Sequence, residues 1–396
     1  MIYLDHSATT PMHPRVVEAM TDAMQMVFAN PGTLYKLGLD AKNRIEQAQE
    51  NISRLLKIPS SYRIIFTSGG SESNNLFIKG LCFPDKKVAC LGLEHPSVTV
   101  TVDRFSRQKN PPLILLDCIK DGSLDLTDLS ILQKERVRLL CLSHVNNELG
   151  TINDPIKVAA ALQKQSSQTR LFIDGVQAIG KLSISENLWQ SVAGYSISAH
   201  KFNGPKGIGL LVYDSKLALE PLIDGGKQQY GVRSGTMSVP LIVGLEKALE
   251  IAVTEFDEQQ KNFLQLNRRL IEGLKDIESR SENLNLRFNS LPVEDTHRQC
   301  PAIVNFSFPP VEGEVLLHHL EAKNIFVGLG SACSAHSKEP SRILTGIGLS
   351  AEEARCSLRI SFGRENTLEE VDQFLSEFSS AYNILHPTFC NQPVQS

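Results

Sequence analysis

Apolar residues recur along this chain in two rhythms. From Pro14 to Phe28 they fall at 16, 17, 20, 24, 27 and 28, the spacing of an amphipathic helix, and the breaker "NPG" ends the run. Ala41, Ile45, Ala48, Ile52, Leu55 and Leu56 repeat the spacing and predict a second helix. Short, continuous apolar runs follow: "RIIFTS", "KVACLGL", "PLILLD", "VRLLCLSHV", "RLFIDGV", "YSISAH" and "GIGLLVY". Runs without polar alternation predict strands covered on both faces. Helical segments such as "DPIKVAAALQKQS" lie between several of them, so the pattern predicts a doubly wound, mostly parallel α/β sheet.

The rhythm changes after residue 238. Val239 to about Ile277 reads as one nearly unbroken helix, long enough to bridge two domains. The strand-like "AIVNFSF" and "CSLRISFG" and the helical "GEVLLHHLEAKN" and "LEEVDQFLSEFSSAYNIL" then predict a smaller α+β unit. The expected division is a large α/β domain over 13–260 and a small α+β domain built from 1–12 and 261–396. The tail "HPTFCNQPVQS" is expected to be loose.

Charge and cysteine usage narrow the class. The 396 residues carry 40 basic and 44 acidic side chains, a balance of −4, which argues against nucleic acid or an anionic membrane as partner. No apolar run approaches membrane-spanning length, and "MIYLDHSATTP" reads as folded structure rather than a leader, so a cytoplasmic protein is expected. Eight cysteines stand at 82, 90, 118, 141, 300, 333, 356 and 390, never close enough for a CxxC motif. Most sit in apolar strand-like runs, where the thiol serves as a small hydrophobe, and reduced intracellular thiols are expected. Adjacent His318 and His319 point in different directions on a helix, and no metal site is expected.

Open α/β sheets bind ligands where strands end at their carboxyl edge, and several polar clusters fall there. "FTSGGSESNN" passes through Gly69 and Gly70 into a helix at Ser71. Such a turn suits a phosphate, although an ordinary capped βα turn explains it equally well. Neither GxxxxGK[ST] nor GxGxxG occurs there. Asp174 ends "FID", with Gln177 three residues on; "HVNNELG" offers two amides and Glu148; His95 follows a third strand. Taken singly, these read as a cap, a turn and a structural histidine. Lys201, in "SISAHKFNGPKGIG", would alone be an ordinary snorkelling lysine.

Together they read differently. A desolvated lysine loses its proton readily and becomes an amine able to form a Schiff base. Pyridoxal phosphate needs such a lysine, a carboxylate for its ring nitrogen, phosphate donors and a planar group over the ring. Lys201, Asp174, Ser71 with Ser198 and His200, and His95 can supply these. Cys333 stands apart from most other cysteines in the small, polar "GLGSACSAHSKEPS", a setting suited to a reactive thiol.

In order and spacing, "YLDHSATTP", "FTSGGSESNN", "EHPSV", "HVNNELGT", "IDGVQAIGKL", "SAHKFNGPKGIG", "VRSGT" and "GSACSAHSKEPS" resemble the cysteine desulfurases. These are fold-type I pyridoxal-phosphate enzymes of the class V aminotransferase group, and the resemblance spans about residues 2 to 365. It implies that Lys201 carries the cofactor and acts as general base, His95 stacks on the ring, Asp174 pairs with its nitrogen and Gln177 meets its phenolic oxygen. Gly70, Ser71, Ser198 and His200 would hold the phosphate, with Thr236 reaching in from the other subunit of a homodimer. Asn147, beside the cofactor, would join Arg359 and Asn30 in gripping the substrate carboxylate. The implied reaction converts L-cysteine to L-alanine and leaves its sulfur on Cys333 as a persulfide. A mobile loop at about 328–341 would deliver that sulfur to an iron–sulfur scaffold or tRNA-thiolation acceptor.

The chain departs from the family pattern in "LIDGGKQQYGVRSGT". Asp224 stands where a histidine is common, Lys227 where a third glycine is, and Gln229 where a glutamate is. "NPGTLY" replaces the commoner "NPSS" beside Asn30. Three other readings compete. A selenocysteine lyase shares the cofactor and fold. A hydrolase pairing Cys333 with His336 leaves Lys201 and Asp174 unexplained. A non-catalytic partner retaining the fold leaves the full set of reactive residue types unexplained.

Overall fold

Each apolar run of the first half becomes a strand in a computed structural model that describes residues 1–81, 87–109, 114–295, 297–330 and 339–390, without the side chains of 105–109. In chain order the first half runs β1 (Ile2–Tyr3), α1 (Pro14–Met26), α2 (Lys36–Leu55), β2 (Tyr62–Thr67), α3 (Gly70–Leu81), β3 (Lys87–Leu91), α4 (Pro96–Lys109) and β4 (Ile114–Leu116). It continues α5 (Ser130–Lys134), β5 (Val137–Ser143), α6 (Pro155–Gln165), β6 (Arg170–Asp174), α7 (Asn187–Ser191), β7 (Gly194–Ser198) and β8 (Gly209–Asp214). The seven longer strands form one sheet in the order β2-β8-β7-β6-β5-β3-β4. β4, β3, β5, β6 and β7 run parallel, while β8 pairs antiparallel with both β7 and β2. The carboxyl ends of β2, β3, β5, β6 and β7 therefore open on one edge. The mostly parallel α/β architecture read from the sequence is the one observed.

The second half adds α8 (Val239–Thr254), α9 (Phe256–Ser279), β9 (Arg287–Phe288), β10 (Ile303–Ser307), α10 (Gly313–Glu321) and β11 (Ile325–Phe326). It ends with α11 (Arg342–Gly346), α12 (Ala351–Arg355), β12 (Ser357–Ser361) and α13 (Leu368–Cys390). β12, β10 and β9 make a small antiparallel sheet, and β11 pairs in parallel with β1. The N-terminal strand thus joins elements more than three hundred residues away. One apolar cluster runs from Ile2 and Leu4 through the large sheet to Phe374 and Leu385, so the two sheets share a continuous core.

Local chemistry sets the helix boundaries. Asp154 caps α6 through the Ile156 and Lys157 amides, with Pro155 in the first turn where its missing N–H costs nothing. Ser350 and Glu353 close α12 with a capping box. Three expectations change. The helix read from Val239 to Ile277 breaks at Glu255, whose side chain takes the guanidinium groups of Arg15 and Arg364. The first part of the tail is helical rather than loose: α13 carries Pro387 and continues to Cys390, and residues 391–396 lie outside the described residues. In α1, Val16, Met20 and Ala23 are buried, whereas Val17 and Met24 stay exposed, as does Phe28 beyond its end, so the apolar positions divide between two faces. Among the described residues no helix is long and apolar enough to cross a membrane.

Trp189 of α7 is a structural anchor. Its ring is fully buried edge-on to Tyr62 and Tyr195, and its Nε1 donates to the Leu56 carbonyl at 2.9 Å. Trp189→Ala removes the ring and leaves that carbonyl without its donor. It is expected to cost about 3–5 kcal/mol, read as an earlier thermal unfolding transition.

Candidate active site

The carboxyl edge of the large sheet holds a pocket of about 270 Å³. Its lining includes Gly70, Ser71, His95, Asn147, Asp174, Gln177, Ser198, His200, Lys201 and Arg359, ten positions singled out from sequence. Five strand ends and one strand of the small sheet converge there. Asp174 is the last residue of β6, Ser198 the last of β7, and His200 and Lys201 lie on the single helical turn that follows. Arg359 reaches in from the middle of β12.

Lys201 is the chemical centre. Its Nζ donates to the carbonyl oxygens of Ser7 at 2.5 Å and Ala8 at 2.7 Å. Burial holds its pKa down to about 7, helped by the charges of Lys181 and Arg359 and opposed by Asp5 and Asp174. Only the unprotonated amine is nucleophilic, so burial hands this residue its reactivity near neutral pH. Burial and the charges of Lys201, Lys206 and Lys181 likewise hold His200 down to about 4, which leaves it neutral. Its Nδ1 lies 3.1 Å from the Thr9 hydroxyl.

Asp174 is a buried carboxylate held by three donors. Its Oδ2 accepts from the Asn74 amide at 2.7 Å, and its Oδ1 accepts from the Val176 N–H at 3.1 Å and the Ser196 hydroxyl at 3.4 Å. The Asn74 amide also donates to Ser97, whose hydroxyl lies 2.8 Å from His95 Nδ1. A chain of polar contacts therefore orients the His95 ring relative to the Asp174 carboxylate. Burial, Lys201 and Arg342 lower the His95 pKa against the pull of Asp174, which favours a neutral ring.

The opposite end of the pocket is the N-terminus of α3, whose first-turn N–H groups suit an anion. Gly70 is required there because a Cβ would lie 2.4 Å from Val176 Cγ2. Gln177 donates from Nε2 to the Ser7 carbonyl at 2.8 Å, and its buried Oε1 has no partner among the described residues. Arg359 gives Nη2 to Asp5 at 2.5 Å and Nη1 to the Asn147 carbonyl at 3.1 Å, while its buried Nε has no acceptor among the described residues. A shielded amine, a fixed carboxylate, a neutral planar ring and a helix N-terminus fit pyridoxal phosphate. The unpaired Gln177 and Arg359 atoms fit a polar guest.

Two sequence-derived positions do not line this pocket, and a third cannot be assigned to it. Asn30 lies in an exposed turn, where its Oδ1 accepts from the Gly32 amide at 2.9 Å. Thr236 is exposed and likewise does not line the cavity of one chain. Cys333, with His336, lies outside the described residues. Sequence reasoning also missed residues. Asn74 stands one helical turn after Gly70 and so shares its face, a spacing visible in "GGSESNN". Asp5 and the Ser7 and Ala8 carbonyls lie in "YLDHSATTP", but a backbone acceptor leaves no mark on residue type.

The departures have physical consequences. Gln229 closes the outer edge of β2: its Oε1 accepts from the Phe66 N–H at 2.6 Å and its Nε2 donates to the Phe66 carbonyl at 2.9 Å. A glutamate could not make the second bond. Lys227 adopts φ +60°, a conformation natural to the glycine it replaces. Asp224 is exposed.

The "Aminotransferase class-V" family profile matches residues 2–374. Cysteine desulfurase IscS of Clostridium botulinum strain Hall is 36% identical over 378 residues, 94% of this chain and 92% of that protein. Cysteine desulfurase IscS of Methanosarcina thermophila is 37% identical, over 94% of this chain and 90% of that one. Among solved structures, a NifS-like protein superposes with a TM-score of 0.87 at 31% identity, covering 97% of this chain and all of that one. SspA, solved in complex with cysteine, superposes with a TM-score of 0.75 at 30% identity, covering 93% of this chain and all of that one.

The direction of the Lys201 shift gives a pH signature. Reductive methylation of Lys201, followed by peptide mass analysis, should reach half its maximal rate near pH 7. Below that the amine is protonated and inert; above it the amine is free. An ordinary exposed lysine should reach half its maximal rate only at about pH 10.

Proposed function

This chain belongs to the class V aminotransferase family, and from that membership we propose a pyridoxal-phosphate-dependent cysteine desulfurase that takes sulfur from L-cysteine and releases L-alanine. The observation that carries the proposal is the convergence of Lys201, Asp174, His95 and Arg359 on one pocket at the carboxyl edge of the large sheet.

The bound cofactor supplies an electron sink that weakens the bonds at the substrate's α-carbon. Lys201 Nζ anchors the cofactor and then accepts the α-proton, a task suited to an amine whose pKa lies near 7. Asp174 accepts the ring nitrogen's N–H and keeps that nitrogen positive, and Asn74 holds the carboxylate in place. His95 covers the ring as a neutral plane, and Gln177 meets its phenolic oxygen. The N–H groups of Gly70 and Ser71, with the Ser198 hydroxyl and His200, take the phosphate. Arg359 takes the substrate carboxylate with Asn147. The buried Nε of Arg359 supports this role, because it is a donor without an acceptor among the described residues.

Cys333 completes the reaction. Its thiolate attacks the substrate sulfur, forming an S–S bond as the carbon–sulfur bond breaks. The carbon skeleton takes up protons and leaves as alanine, while Cys333 keeps the sulfur as a persulfide for a protein acceptor. The second subunit of a homodimer brings Thr236 to the phosphate and Asn30 to the substrate. Exposed Met26, Phe28, Leu34 and Tyr35 flank Asn30 and support such an interface. We also divide the chain into a large domain over 13–260 and a small one from 1–12 and 261–396. The site is expected to work in the cytoplasm.

Incubation with L-cysteine should add one sulfur to Cys333 by mass and release alanine. Cys333→Ser should abolish alanine formation from L-cysteine, and survival of that activity removes the thiol from the mechanism. Borohydride should fix the cofactor onto Lys201, and Lys201→Ala should lose both cofactor attachment and turnover.

A further inference from the structure

Lys181 is a second lysine buried at this site, and the chemistry above gives it no task. It sits in the turn after β6, only 4% exposed, behind the pocket rather than in its lining. It shares a small polar cavity with His6, Asn203, Gln259, Arg364 and the back of Lys201. A buried ammonium normally answers to a carboxylate. Among the described residues no ion pair involves Lys181. Its Nζ donates instead to the main-chain carbonyl of Lys201, at 3.2 Å. Its own carbonyl accepts from Gln260 Nε2 at 2.8 Å, which ties the turn to α9.

The groups around the two lysines are few. Lys201 faces the positive charges of Lys181 and Arg359 and the negative ones of Asp5 and Asp174. Arg359 and Asp5 are already paired with each other. Asp174 is occupied by Asn74, Val176 and Ser196. Around Lys181 stand the Cys300 thiol, His6, His200 and Arg364, and Arg364 is held by Glu255; His200 and His95, both favoured as neutral rings, also face Lys201. Lys181 therefore brings a positive field to Lys201, and among the described residues no carboxylate is paired with it to cancel that field.

We propose that Lys181 is a positioning residue for the reaction: its side chain clamps the main chain of Lys201, and its charge keeps the Lys201 nitrogen from holding a proton. Burial lowers the pKa of both amines, Lys181 to about 8 and Lys201 to about 7. A purely structural clamp needs only a donor to the carbonyl. An electrostatic one needs the charge.

Three variants separate these roles. Lys181→Gln keeps a donor and loses the charge, Lys181→Met loses both with an apolar chain of similar size, and Lys181→Arg keeps both. Each is made in the full-length holoenzyme, with thermal unfolding as the check on folding. The readout is the pH midpoint of the cofactor's visible absorbance band, which reports protonation of the nitrogen carried by Lys201. The proposal rests on Lys201 being the cofactor lysine. Failure of that premise shows separately, as wild-type protein in which borohydride fixes no cofactor at residue 201.

With the premise intact, the midpoint is expected to rise by about one pH unit in Lys181→Gln and Lys181→Met, a tenfold gain in proton affinity, and to stay at the wild-type value in Lys181→Arg. A wild-type midpoint in folded Lys181→Gln overturns the proposal. So does an equal rise in Lys181→Arg, because it assigns the effect to packing rather than charge. Replacing a buried ammonium by an apolar chain of similar volume is commonly tolerated, so Lys181→Met keeps the test open if the glutamine variant does not fold.

Discussion

Taking an amine out of water is the constraint from which the rest of this site follows. An ammonium at Lys201 would sit among the pocket walls beside two further cations, and burial makes that form costly. The proton leaves more readily, and the group becomes a nucleophile and a base near neutral pH. The fold meets the constraint by ending β7 at Ser198 and turning the chain once, so that Lys201 projects back toward Ser7 and Ala8 rather than outward. The backbone carbonyls of a segment nearly two hundred residues away then fix where the nitrogen points.

That N-terminal segment links the two sheets. β1 pairs with β11, Asp5 bridges to Ser361, and the Asp5 carboxylate takes the guanidinium of Arg359. Gly328 lies against this ion pair so closely that a Cβ there would come within 2.7 Å of both partners. Arg359 is almost wholly buried, so its charge depends on Asp5. The few residues before α1 thus position the floor under Lys201 and the counter-charge of the arginine on the small sheet. Amine and guanidinium share one pocket because one short strand serves both.

Much of this was legible in the residues. Continuous apolar runs marked every strand of the large sheet, because a strand covered on both faces leaves no polar alternation to misread. Asp174, Lys201, His95 and Gly70 stood out because they were polar or small at the ends of such runs. What stayed hidden shares a cause: it depends on neighbours that sequence order does not supply. The helical pattern is interrupted at Glu255, where two arginines from distant segments meet. The second apolar face of α1 matched helical spacing as well as the first, and only packing divides buried Val16 from exposed Val17. Asn74, Asp5 and Lys181 act through a carboxylate, a guanidinium and a carbonyl brought close by folding, and none announces that role by type.

The Gln229 contact has a consequence for how the molecule keeps to itself. β2 is the outer strand of the large sheet on that side, and an uncovered rim of backbone donors and acceptors invites a neighbouring polypeptide to stack against it. A primary amide is self-complementary with a peptide unit, so it plugs the rim at Phe66 as one rung of an extra strand would. A carboxylate there would repel the Phe66 oxygen except in acid, whereas this plug carries no ionisable proton and holds equally well at any pH the chain survives.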